Sequence, residues 1–439
     1  MNNSSTVAMI SLGCPKNLVN SEEMLALLQD AGYAFTDDLA KADAVIINTC
    51  AFIESAKTEA IEKILETAAY REENPELKII VSGCLAQRYA DDIRAELPEV
   101  DGIMGTGSYS EVVSVVEAVL AGDKPTRRGA ISAPLYDTPR AISTGPDWAY
   151  LRIAEGCDNR CAYCIIPALR GKFRSRTKES ILKEARLLAA SGVKEVIIVA
   201  QDITRYGIDL YGKVCLTELL KELCKLDFRW VRLHYLYPEL IDDKLIDEIA
   251  SEDKIVKYLD IPIQHINDTI LRRMNRRGTG EEIRALFQKL RERIPGLVLR
   301  TSLITGLPGE SEAEFEELCD FLREAKIERA GVFPYSPEEG TPAAAMPDRC
   351  STEEAQRRAE LCMEIQAEIM DGFAETFIGR ELDVLVMGSE PDGTPWGRSE
   401  YDSPDIDSRV IFSGDAKPGD MVRVRITGTD DGELVGEQI

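Results

Sequence analysis

One pattern that occurs three times before residue 90 constrains the fold of this chain more than any other feature. Each copy is a short apolar run that ends in a cysteine and precedes a helical pattern, and the runs are residues 7–14, 44–50 and 78–84. Short runs rich in Val and Ile that alternate with helices predict a parallel sheet buried on both faces. Because the carboxyl ends of such strands line one crevice, Cys14, Cys50 and Cys84 are expected to converge there. The alternative is three separately buried small side chains, which is common for lone cysteines.

A second set of strand-like runs extends from residue 150 to residue 333, with helical patterns such as 178–190 and 312–325 between them. Repeated βα units at this spacing predict a partial (βα)6 barrel, whose chemistry lies at the carboxyl ends of its strands. Those ends carry Gln201 and Asp202, then Gln264 and His265, then Gly306. The six runs are residues 150–154, 195–200, 230–236, 258–262, 297–304 and 330–333.

The last part of the chain has a different pattern of short alternating runs, at 382–387, 410–412 and 421–426, separated by Gly and Asp. This pattern predicts a small antiparallel β-barrel. Residues 375–439 hold fifteen Asp and Glu against six Lys and Arg, a net charge of −9, and the whole chain has a net charge of −25. Such a surface argues against a broad basic face for nucleic acid and suits a basic protein partner.

Together these patterns predict an α/β protein in three parts. Residues 1–140 form a doubly wound parallel α/β domain, residues 141–370 a partial (βα)6 barrel and residues 371–439 a small antiparallel β-barrel. No run of eighteen apolar residues is present, so no membrane span is expected. The polar residues 1–6 lack the features of a secretory signal, which predicts a cytoplasmic protein. In that compartment metal ligation explains eleven cysteines better than disulfides do.

The most specific local motif is C-x3-C-x2-C, formed by Cys157, Cys161 and Cys164. Three thiolates complete neither a tetrahedral zinc site nor the ligand set of a four-iron cluster. The chain has two histidines, His234 and His265, and neither lies near the motif in the sequence. The motif therefore favours a four-iron cluster with one open iron, and the alternative is a zinc site that a distant cysteine completes.

This motif, placed just after the first barrel strand, resembles the signature of the radical S-adenosylmethionine superfamily. Motifs along nearly the whole chain resemble the methylthiotransferases of that superfamily, and the acidic last part resembles their TRAM domain. The similarity is greatest to the branch that modifies an aspartate of small-subunit ribosomal protein S-twelve, where the segments at 235–238 and 335–342 are typical. The other motifs are SLGCPKN at 11–17, NTC at 48–50, GCLA at 83–86, CIIP at 164–167, RGKFRSR at 170–176, AQD at 200–202 and DIPIQH at 260–265.

The resemblance implies two 4Fe-4S clusters, each with one open iron. Cys157, Cys161 and Cys164 would hold the cluster that binds and cleaves S-adenosylmethionine, with Tyr163 against the adenine. Cys14, Cys50 and Cys84 would hold an auxiliary cluster that carries or receives sulfur. One S-adenosylmethionine would supply a methyl group and another a radical that removes hydrogen, so that a methylthio group joins the β-carbon of the aspartate.

Other candidate residues have structural alternatives that the sequence leaves open. Gln201 and Asp202 either contact S-adenosylmethionine or cap a helix, and Gly306 either lets the backbone approach the cofactor or forms a strand-to-helix turn. A basic cluster either steadies a carboxylate of the cofactor, reaches an acidic segment of the substrate or is a solvated loop. That cluster consists of Arg170, Lys172, Arg174 and Arg176. The remaining cysteines lack the spacing of metal ligands; they are Cys215, Cys224, Cys319, Cys350 and Cys362.

Two competing functions remain at this point. A methylthiotransferase of a tRNA adenosine, N6-isopentenyladenosine, would use the same chemistry but needs a cationic surface for phosphates. A non-catalytic iron–sulfur protein for electron transfer would need neither a barrel nor open irons. The partners expected for the first reading are ribosomal protein S-twelve, which is basic, and an electron donor such as flavodoxin or ferredoxin. No membrane partner is expected, and the chain is expected to be a monomer.

Overall fold

The computed structural model describes residues 5–133, 135, 137–145 and 147–439, so most of the polar segment 1–6 lies outside the described residues. These residues form two six-stranded sheets, one closed five-stranded barrel and one two-stranded ribbon. No helix within them is long and apolar enough to span a membrane.

The first sheet is parallel throughout and has the order β2-β1-β3-β4-β5-β6. Three of its strands are the predicted cysteine-terminated runs, whereas β2, β5 and β6 were not predicted. They are difficult to recognise because β2 has two residues, β5 reads GIMGTG and β6 is exposed and basic. The strands are β1 Thr6–Ser11, β2 Ala34–Phe35, β3 Ala44–Thr49, β4 Lys78–Gly83, β5 Gly102–Gly107 and β6 Thr126–Gly129. The helices are α1 Pro15–Asp30, α2 Glu54–Ala69, α3 Cys84–Glu96 and α4 Val112–Leu120.

Helices cover both faces of this sheet, which confirms the doubly wound prediction. Met24 of α1 and Val116 of α4 pack in the apolar core on one face. Ile64 of α2 and Ile93 of α3 pack in the core on the other face. Because β3 and β4 are covered on both sides, their residues are buried almost without exception, as a near-continuous apolar run requires.

The second sheet contains the six predicted barrel strands in sequence order, all parallel, with β7 and β14 at its two edges. A sheet that follows this order without closing is a partial (βα)6 barrel, as predicted. Its strands are β7 Trp148–Arg152, β10 Glu195–Val199, β11 Trp230–Leu233, β12 Ile255–Asp260, β13 Val298–Thr305 and β14 Arg329–Pro334, and the separate ribbon is β8 Ala154–Glu155 with β9 Arg174–Ser175.

The helices of this part lie between those strands, and α6 and α12 match the predicted ranges. Two of them begin at capping boxes, formed by Thr279 with Glu282 and by Ser311 with Glu314. The helices are α5 Ile166–Arg170, α6 Lys178–Ala190, α7 Ile208–Tyr211, α8 Leu216–Leu223, α9 Asp243–Ser251, α10 Asp268–Arg273, α11 Gly280–Arg293, α12 Glu312–Ala325 and α13 Thr352–Glu375.

The last part is a closed barrel with the order β15-β16-β17-β19-β18. Four of its pairings are antiparallel, which confirms the predicted small antiparallel β-barrel, and one pair, β17 with β19, is parallel. The reason is geometric, because strands that alternate in direction cannot close a ring of five. The strands are β15 Glu381–Ser389, β16 Pro395–Ser399, β17 Val410–Ser413, β18 Met421–Asp430 and β19 Glu433–Gln438.

The closed barrel is docked on the amino end of the open barrel through buried ion pairs. Arg398 of β16 contacts Glu195 at the start of β10, with 2.6 Å between Nη2 and Oε2. Arg329, at the start of β14, contacts Asp402 at 2.9 Å. Leu385 packs in the same apolar cluster as strand residues of the open barrel. The amino end is therefore closed, and the carboxyl ends of the strands are left for the first domain.

The first domain sits at those carboxyl ends. Glu338, in the segment after β14, is 2% exposed and accepts from Arg88 Nη1 at 2.6 Å and from Lys57 Nζ at 3.2 Å. Leu169 of helix α5 and Ile165, which directly precedes this helix, pack in the core beneath α2 and α3. These contacts bring the carboxyl ends of both sheets together.

Candidate functional site

The three N-terminal cysteines follow three neighbouring strands of the first sheet. Cys50 comes directly after β3, Cys84 directly after β4, and Cys14 lies three residues after β1. Cys14 is also the N-cap of α1, and Cys84 is the first residue of α3. Because β1, β3 and β4 are neighbours and a Cβ at Gly13 would lie 3.4 Å from Cys50 Sγ, the cysteines of this N-terminal triad come together at one edge of the sheet, as predicted.

Two glycines make this convergence possible. Gly13 has φ +88°, and a Cβ there would lie 2.7 Å from the Cβ of Cys50. Gly83 has φ +94°, and a Cβ there would lie 2.5 Å from the carbonyl oxygen of Thr49. Both positions therefore require a residue without a side chain. Asn17 fixes the same turns, because its Nδ2 donates to the carbonyl oxygens of Leu12 and Thr49 at 3.0 and 2.9 Å.

The protonation of these thiols depends strongly on their neighbours. Burial raises the pKa of Cys50 to about 12, and the nearby Cys14 and Cys84 add to the effect. Burial also raises the pKa of Cys84, although Arg170 opposes it. For Cys14 burial acts in the same direction, but Lys16 and Arg170 outweigh it and lower the pKa. Three thiols packed in this way ionise together only beside a cation, and bound iron is one.

The second group, Cys157, Cys161 and Cys164, lies in the loop after the ribbon strand β8 and is called the loop triad here. Backbone bonds fix this loop: Cys157 N–H donates to Gly171 O at 3.1 Å and Ala162 N–H to Met274 O at 2.8 Å. Side chains add to this, since Asn275 Nδ2 donates to Arg160 O at 2.8 Å. The loop has no regular secondary structure of its own, and hydrogen bonds to residues of other segments fix its conformation.

Burial dominates the chemistry of the loop triad as well. It raises the pKa of Cys157 to about 11 and also raises the pKa of Cys164, with Cys161 adding to both. Arg276 is buried and directs Nη1 at the Sγ of Cys161, 3.7 Å away. A guanidinium so placed stabilises negative charge on the sulfur.

Arg170 links the two groups of cysteines. Its Nη1 donates to Glu155 Oε2 at 2.9 Å and to Asn20 Oδ1 at 2.8 Å, and its Nη2 donates to Asn17 Oδ1 and, at 3.7 Å, to Cys84 Sγ. Burial opposes ionisation of Glu155, yet Arg170 and Arg152 lower the pKa of that carboxyl to about 2. Arg170 is 3% exposed, so the prediction of a solvated loop is wrong for this member of the basic cluster.

The segment after β11 places two tyrosines between the triads. Lys16 Nζ lies 3.6 Å from the ring centroid of Tyr235, and the Arg276 guanidinium lies 4.5 Å from that of Tyr237. The Tyr237 hydroxyl is 3.9 Å from Cys161 Sγ. Because Cys14 is two residues before Lys16, the segment 235–237 connects the surroundings of the two triads, and we call the region around this segment the chamber.

Four of the eight non-glycine residues with positive φ in the described chain lie in the loop triad or in segments that follow strands of the open barrel. They are Arg160, Tyr235, Gln264 and Asn275, with φ between +53° and +73°. Such conformations cost about 1–3 kcal/mol each and persist where the surroundings fix them, which is common at functional sites.

The predicted cofactor contacts lie at the carboxyl ends of the open barrel. Gln201 Nε2 donates to Glu155 Oε1 at 2.5 Å. Asp202 accepts from the Thr204 backbone at 3.0 Å and so caps a short 3-10 turn, as the alternative had it, and it also accepts from Asn159 Nδ2 at 2.8 Å. Asp202 thereby ties the cysteine loop to β10. A contact with S-adenosylmethionine remains a prediction for both residues.

Gly306 and Tyr163 occupy different surroundings. Gly306 has φ +74°, and a Cβ there would lie 2.9 Å from Cys350 Sγ, so the glycine makes room for the segment before α13. It lines a cavity of about 610 Å³ together with Tyr335 and Cys350. Tyr163 packs against an apolar cluster that contains Leu307. Their contacts with the cofactor also remain predictions.

His265 and Gln264, which the sequence placed either in the site or in the barrel wall, lie at the carboxyl end of β12. His265 is 1% exposed, and its Nδ1 accepts from Asn267 N–H at 3.0 Å while Nε2 lies 3.3 Å from Glu310 Oε2. The backbone of Gln264 pairs with Leu303 as an isolated bridge. The His265 ring accepts from Asn267 instead of forming a hydrogen bond with the Gln264 side chain.

The donor sets fit four-iron clusters. Within residues 5–133, 135, 137–145 and 147–439, no three His, Cys, Asp or Glu side chains are close enough to bind one metal ion. A cluster distributes its ligands over different irons, so its thiolates lie farther apart than those of a single ion. Each triad consists of buried or half-buried thiols with a buried arginine directed at one sulfur, which suits an anionic group at each place.

The remaining cysteines lie apart from both triads. Cys319 and Cys362 are buried between α12 and α13, with 3.9 Å between their sulfurs.

The sequence assigned no specific role to three cations of the site, Lys16, Arg170 and Arg276. Lys16 lies inside the motif SLGCPKN at 11–17. Arg170 was one of four basic residues at alternating positions, and no sequence pattern marks Arg276.

Comparisons with known proteins agree with this geometry. A family model described as the radical SAM superfamily matches residues 151–322, one described as uncharacterized protein family UPF0004 matches residues 6–105, and a TRAM domain model matches residues 378–439. The matches fall on the open barrel, the first sheet and the closed barrel, respectively.

Relatives match over almost the whole chain. The protein called ribosomal protein uS12 methylthiotransferase RimO in Pelotomaculum thermopropionicum is 50% identical over 440 residues, which is 99% of each chain. A relative with the same name in Caldanaerobacter subterraneus subsp. tengcongensis is 48% identical over 436 residues, covering 98% of this chain and 99% of the relative.

Solved structures share the fold at low identity. The radical S-adenosylmethionine methyltransferase TsrM from Kitasatospora setae, with cobalamin and a 4Fe-4S cluster bound, has a TM-score of 0.55 and 14% identity over 87% of this chain and 80% of its own. The cobalamin-dependent radical enzyme OxsB has a TM-score of 0.51 and 12% identity, covering 82% of this chain and 56% of its own.

Proposed function

The chain belongs to the radical S-adenosylmethionine methylthiotransferases, and on this premise we propose that it attaches a methylthio group to the β-carbon of an aspartate in small-subunit ribosomal protein uS12. The relatives that carry the name of a ribosomal protein uS12 methylthiotransferase match 97–99% of the chain. The observation that carries the proposal is that one segment, residues 235–237, reaches two triads of buried or half-buried cysteines.

We propose that each triad holds one 4Fe-4S cluster. Cys157, Cys161 and Cys164 would hold the cluster that binds S-adenosylmethionine, and Tyr163, Gln201, Asp202 and Gly306 would contact that cofactor. Cys14, Cys50 and Cys84 would hold the auxiliary cluster. When bound, these groups supply the electron, the radical, the methyl group and the sulfur.

The residues of the chain position these groups and exclude water. Burial of the thiols keeps solvent away from a reactive radical. Arg276 and Arg170 place positive charge beside Cys161 and Cys84, where a cluster adds negative charge. The docking of α5 on the first domain holds the triads in a fixed relation, because α5 begins two residues after Cys164.

The closed barrel is proposed as the dock for the basic substrate. Three of its arginines face carboxylates: Arg409 contacts Glu390 and Glu433, Arg423 contacts Asp383, and Arg425 contacts Glu381. Exposed acids that form no ion pair with described residues include Asp392, Asp415, Asp430 and Asp431. The surface is therefore anionic and would attract a basic protein rather than the phosphates of tRNA.

The proposed division of labour follows the three parts of the chain. Residues 1–140 would bind the auxiliary cluster, residues 141–370 would carry out the radical chemistry, and residues 371–439 would dock the substrate. We further propose action in the cytoplasm, as a monomer, with flavodoxin or ferredoxin as the electron donor.

Mass spectrometry of ribosomal proteins and tRNA from cells with and without the gene tests this proposal. Loss of one methylthio increment from uS12, restored by the wild-type gene, is the expected result. Loss of the methylthio group from a tRNA adenosine with uS12 unchanged would establish the rival substrate. A protein that changes neither molecule and does not cleave S-adenosylmethionine when reduced would be an electron-transfer protein.

A further inference from the structure

Buried cations in this chain almost always have a carboxylate partner. Eight Lys and Arg residues of the described chain are buried, and six of them contact a carboxylate at 3.3 Å or less. The two exceptions are Lys16 and Arg276, and both stand at a cysteine triad. The six paired residues are Arg152, Arg170, Arg232, Arg329, Arg358 and Arg398.

The two exceptions differ in how their donors are used. Arg276 directs Nη1 at Cys161 Sγ and donates from Nη2 to Pro262 O at 2.7 Å, so its charge serves the loop triad. Lys16 is 7% exposed and rests on Tyr235, which is its side-chain partner, and its Nζ forms no ion pair with a carboxylate of the described residues. An ammonium has three N–H donors, so donors remain for a ligand.

The carboxylates near Lys16 are already committed to other cations. Asp260 contacts Arg300 at 2.7 Å and also accepts from the Tyr235 backbone N–H at 3.2 Å. Glu155 lies against Arg170 at 2.9 Å. Lys16 acts on the Cys14 thiol but has no carboxylate partner, and an incompletely paired buried charge is costly, which favours an anion at Lys16.

The titratable groups that face Lys16 from the elements around it include no carboxylate. They are Cys14 on the turn before α1, Arg170 at the end of α5, and His234 and Tyr235 after β11. His234 is itself engaged, with 2.9 Å between its Nε2 and the Ser403 hydroxyl. An anion that reaches Lys16 must therefore arrive from the chamber.

We propose that Lys16 is the receptor for the side-chain carboxylate of the substrate residue that is modified, and that Tyr235 holds its ammonium in place. This inference rests on the proposed function and deepens it by assigning a specificity-determining residue. The strained φ of +66° at Tyr235 is retained because it turns the ring under Lys16. The ammonium lies beside Cys14 of the N-terminal triad, on the ring of Tyr235, and Tyr237 of the same segment reaches Cys161 of the loop triad at 3.9 Å.

Selectivity for an acid over its amide follows from this arrangement. An asparagine side chain has almost the same shape as aspartate but brings no charge, and it would leave the buried ammonium without a counter-ion. Sites that leave a buried polar group unpaired reject the wrong substrate strongly, so we expect a preference for aspartate of roughly 100-fold. A lysine that only balanced the charge of the auxiliary cluster would give no such preference.

The test uses the anaerobic holoenzyme and recombinant uS12 in two forms, with aspartate or with asparagine at the modified position. Wild type, Lys16→Gln, Lys16→Arg and the control Lys41→Gln are compared for kcat and KM of methylthio product, for cleavage of S-adenosylmethionine without substrate, and for iron content. Lys41 is an exposed lysine of the same domain that contacts Asp38. Its replacement removes one positive charge far from the chamber.

The expected result is that Lys41→Gln behaves like wild type and Lys16→Gln reduces the preference for aspartate to within about 3-fold. The activity on the aspartate form of uS12 should fall because its KM rises. Iron content and cleavage of S-adenosylmethionine without uS12 should stay unchanged. Lys16→Arg should keep the preference with lower kcat, which tests the charge even if Lys16→Gln loses iron. The proposal is overturned if Lys16→Gln keeps the preference, if Lys16→Gln with its iron retained loses activity on both forms equally, or if Lys16→Arg abolishes the preference. Failure of wild type to modify either form of uS12 would instead overturn the proposed function.

Discussion

The two cysteine triads of this protein are built in opposite ways. The loop triad lies within eight consecutive residues, 157–164, and is held from outside by Gly171, Met274 and Asn275. The N-terminal triad draws on three strands whose cysteines are 36 and 34 residues apart, and it exists only when the parallel sheet has formed. The loop triad therefore depends mainly on its own short segment, whereas the N-terminal triad depends on the fold of the sheet that brings its cysteines together.

The largest effect should come from removing the loop triad. In Cys157→Ala/Cys161→Ala/Cys164→Ala, iron should fall from about eight to about four atoms per chain, because one four-iron cluster is lost. Cleavage of S-adenosylmethionine and formation of the methylthio product should both disappear. Iron analysis, with chromatography of the reaction products, measures this.

Cys215→Ala is the matched control, since Cys215 is half-buried and lies outside both triads. It should keep the iron and the activity of wild type. A loop-triad variant that retained all its iron would break the assignment of ligands.

Arg170 offers a way to weaken the connection between the triads without removing a ligand. Arg170→Met removes the partner of two asparagines of α1 and one of the two arginines that contact Glu155, which should cost about 1–3 kcal/mol of the free energy of unfolding because Arg152 still pairs with Glu155. The N-terminal triad should lose iron first, since Arg170 contacts Cys84. Anaerobic thermal unfolding with iron analysis measures both effects.

Arg176→Met is the control from the same segment. Arg176 also contacts a carboxylate, Glu184, at 2.5 Å, but it touches neither triad. Its replacement should lower stability and leave the ratio of the two clusters unchanged. Equal loss of N-terminal iron in both variants would contradict the bridging role of Arg170.

The smallest effect should come from the surface of the closed barrel, which belongs to neither triad. Asp415→Asn/Asp430→Asn/Asp431→Asn should raise KM for uS12 about 3-fold at low salt, and the difference should shrink at high salt. Iron content and cleavage of S-adenosylmethionine should stay at wild-type values. Three exposed acids of the first domain, Asp37, Glu62 and Glu73, form the control set when changed to amides. An equal effect from the control set would mean that net charge acts alone.

The same contrast explains what the sequence could and could not predict. The runs ending at Cys14, Cys50 and Cys84 predicted both the sheet and the triad because strand order in a parallel sheet follows from local patterns. The sequence could not show that β5, with its glycines, is a strand, because its burial depends on neighbours elsewhere in the chain. The parallel pair β17–β19 follows from closure of five strands, which no local pattern encodes.

The role of individual charged residues was the least predictable part of the site. Arg170 looked like its neighbours Lys172 and Arg174, and only the packing of α5 against the first domain shows that it is buried between the triads. Lys16 and Arg276 are 260 residues apart in the chain and come together through two tyrosines of a third segment. Long-range arrangements of this kind depend on tertiary packing that spacing does not report.

The central claim is that the two triads are separate sites with different tasks in one reaction. The most direct measurement is made on Cys14→Ala/Cys50→Ala/Cys84→Ala, with iron, cleavage of S-adenosylmethionine and methylthio-uS12 determined on the same anaerobic sample. The account predicts about four irons per chain, continued cleavage and no methylthio product. Formation of methylthio-uS12 by this variant, or complete loss of iron together with cleavage, would contradict it.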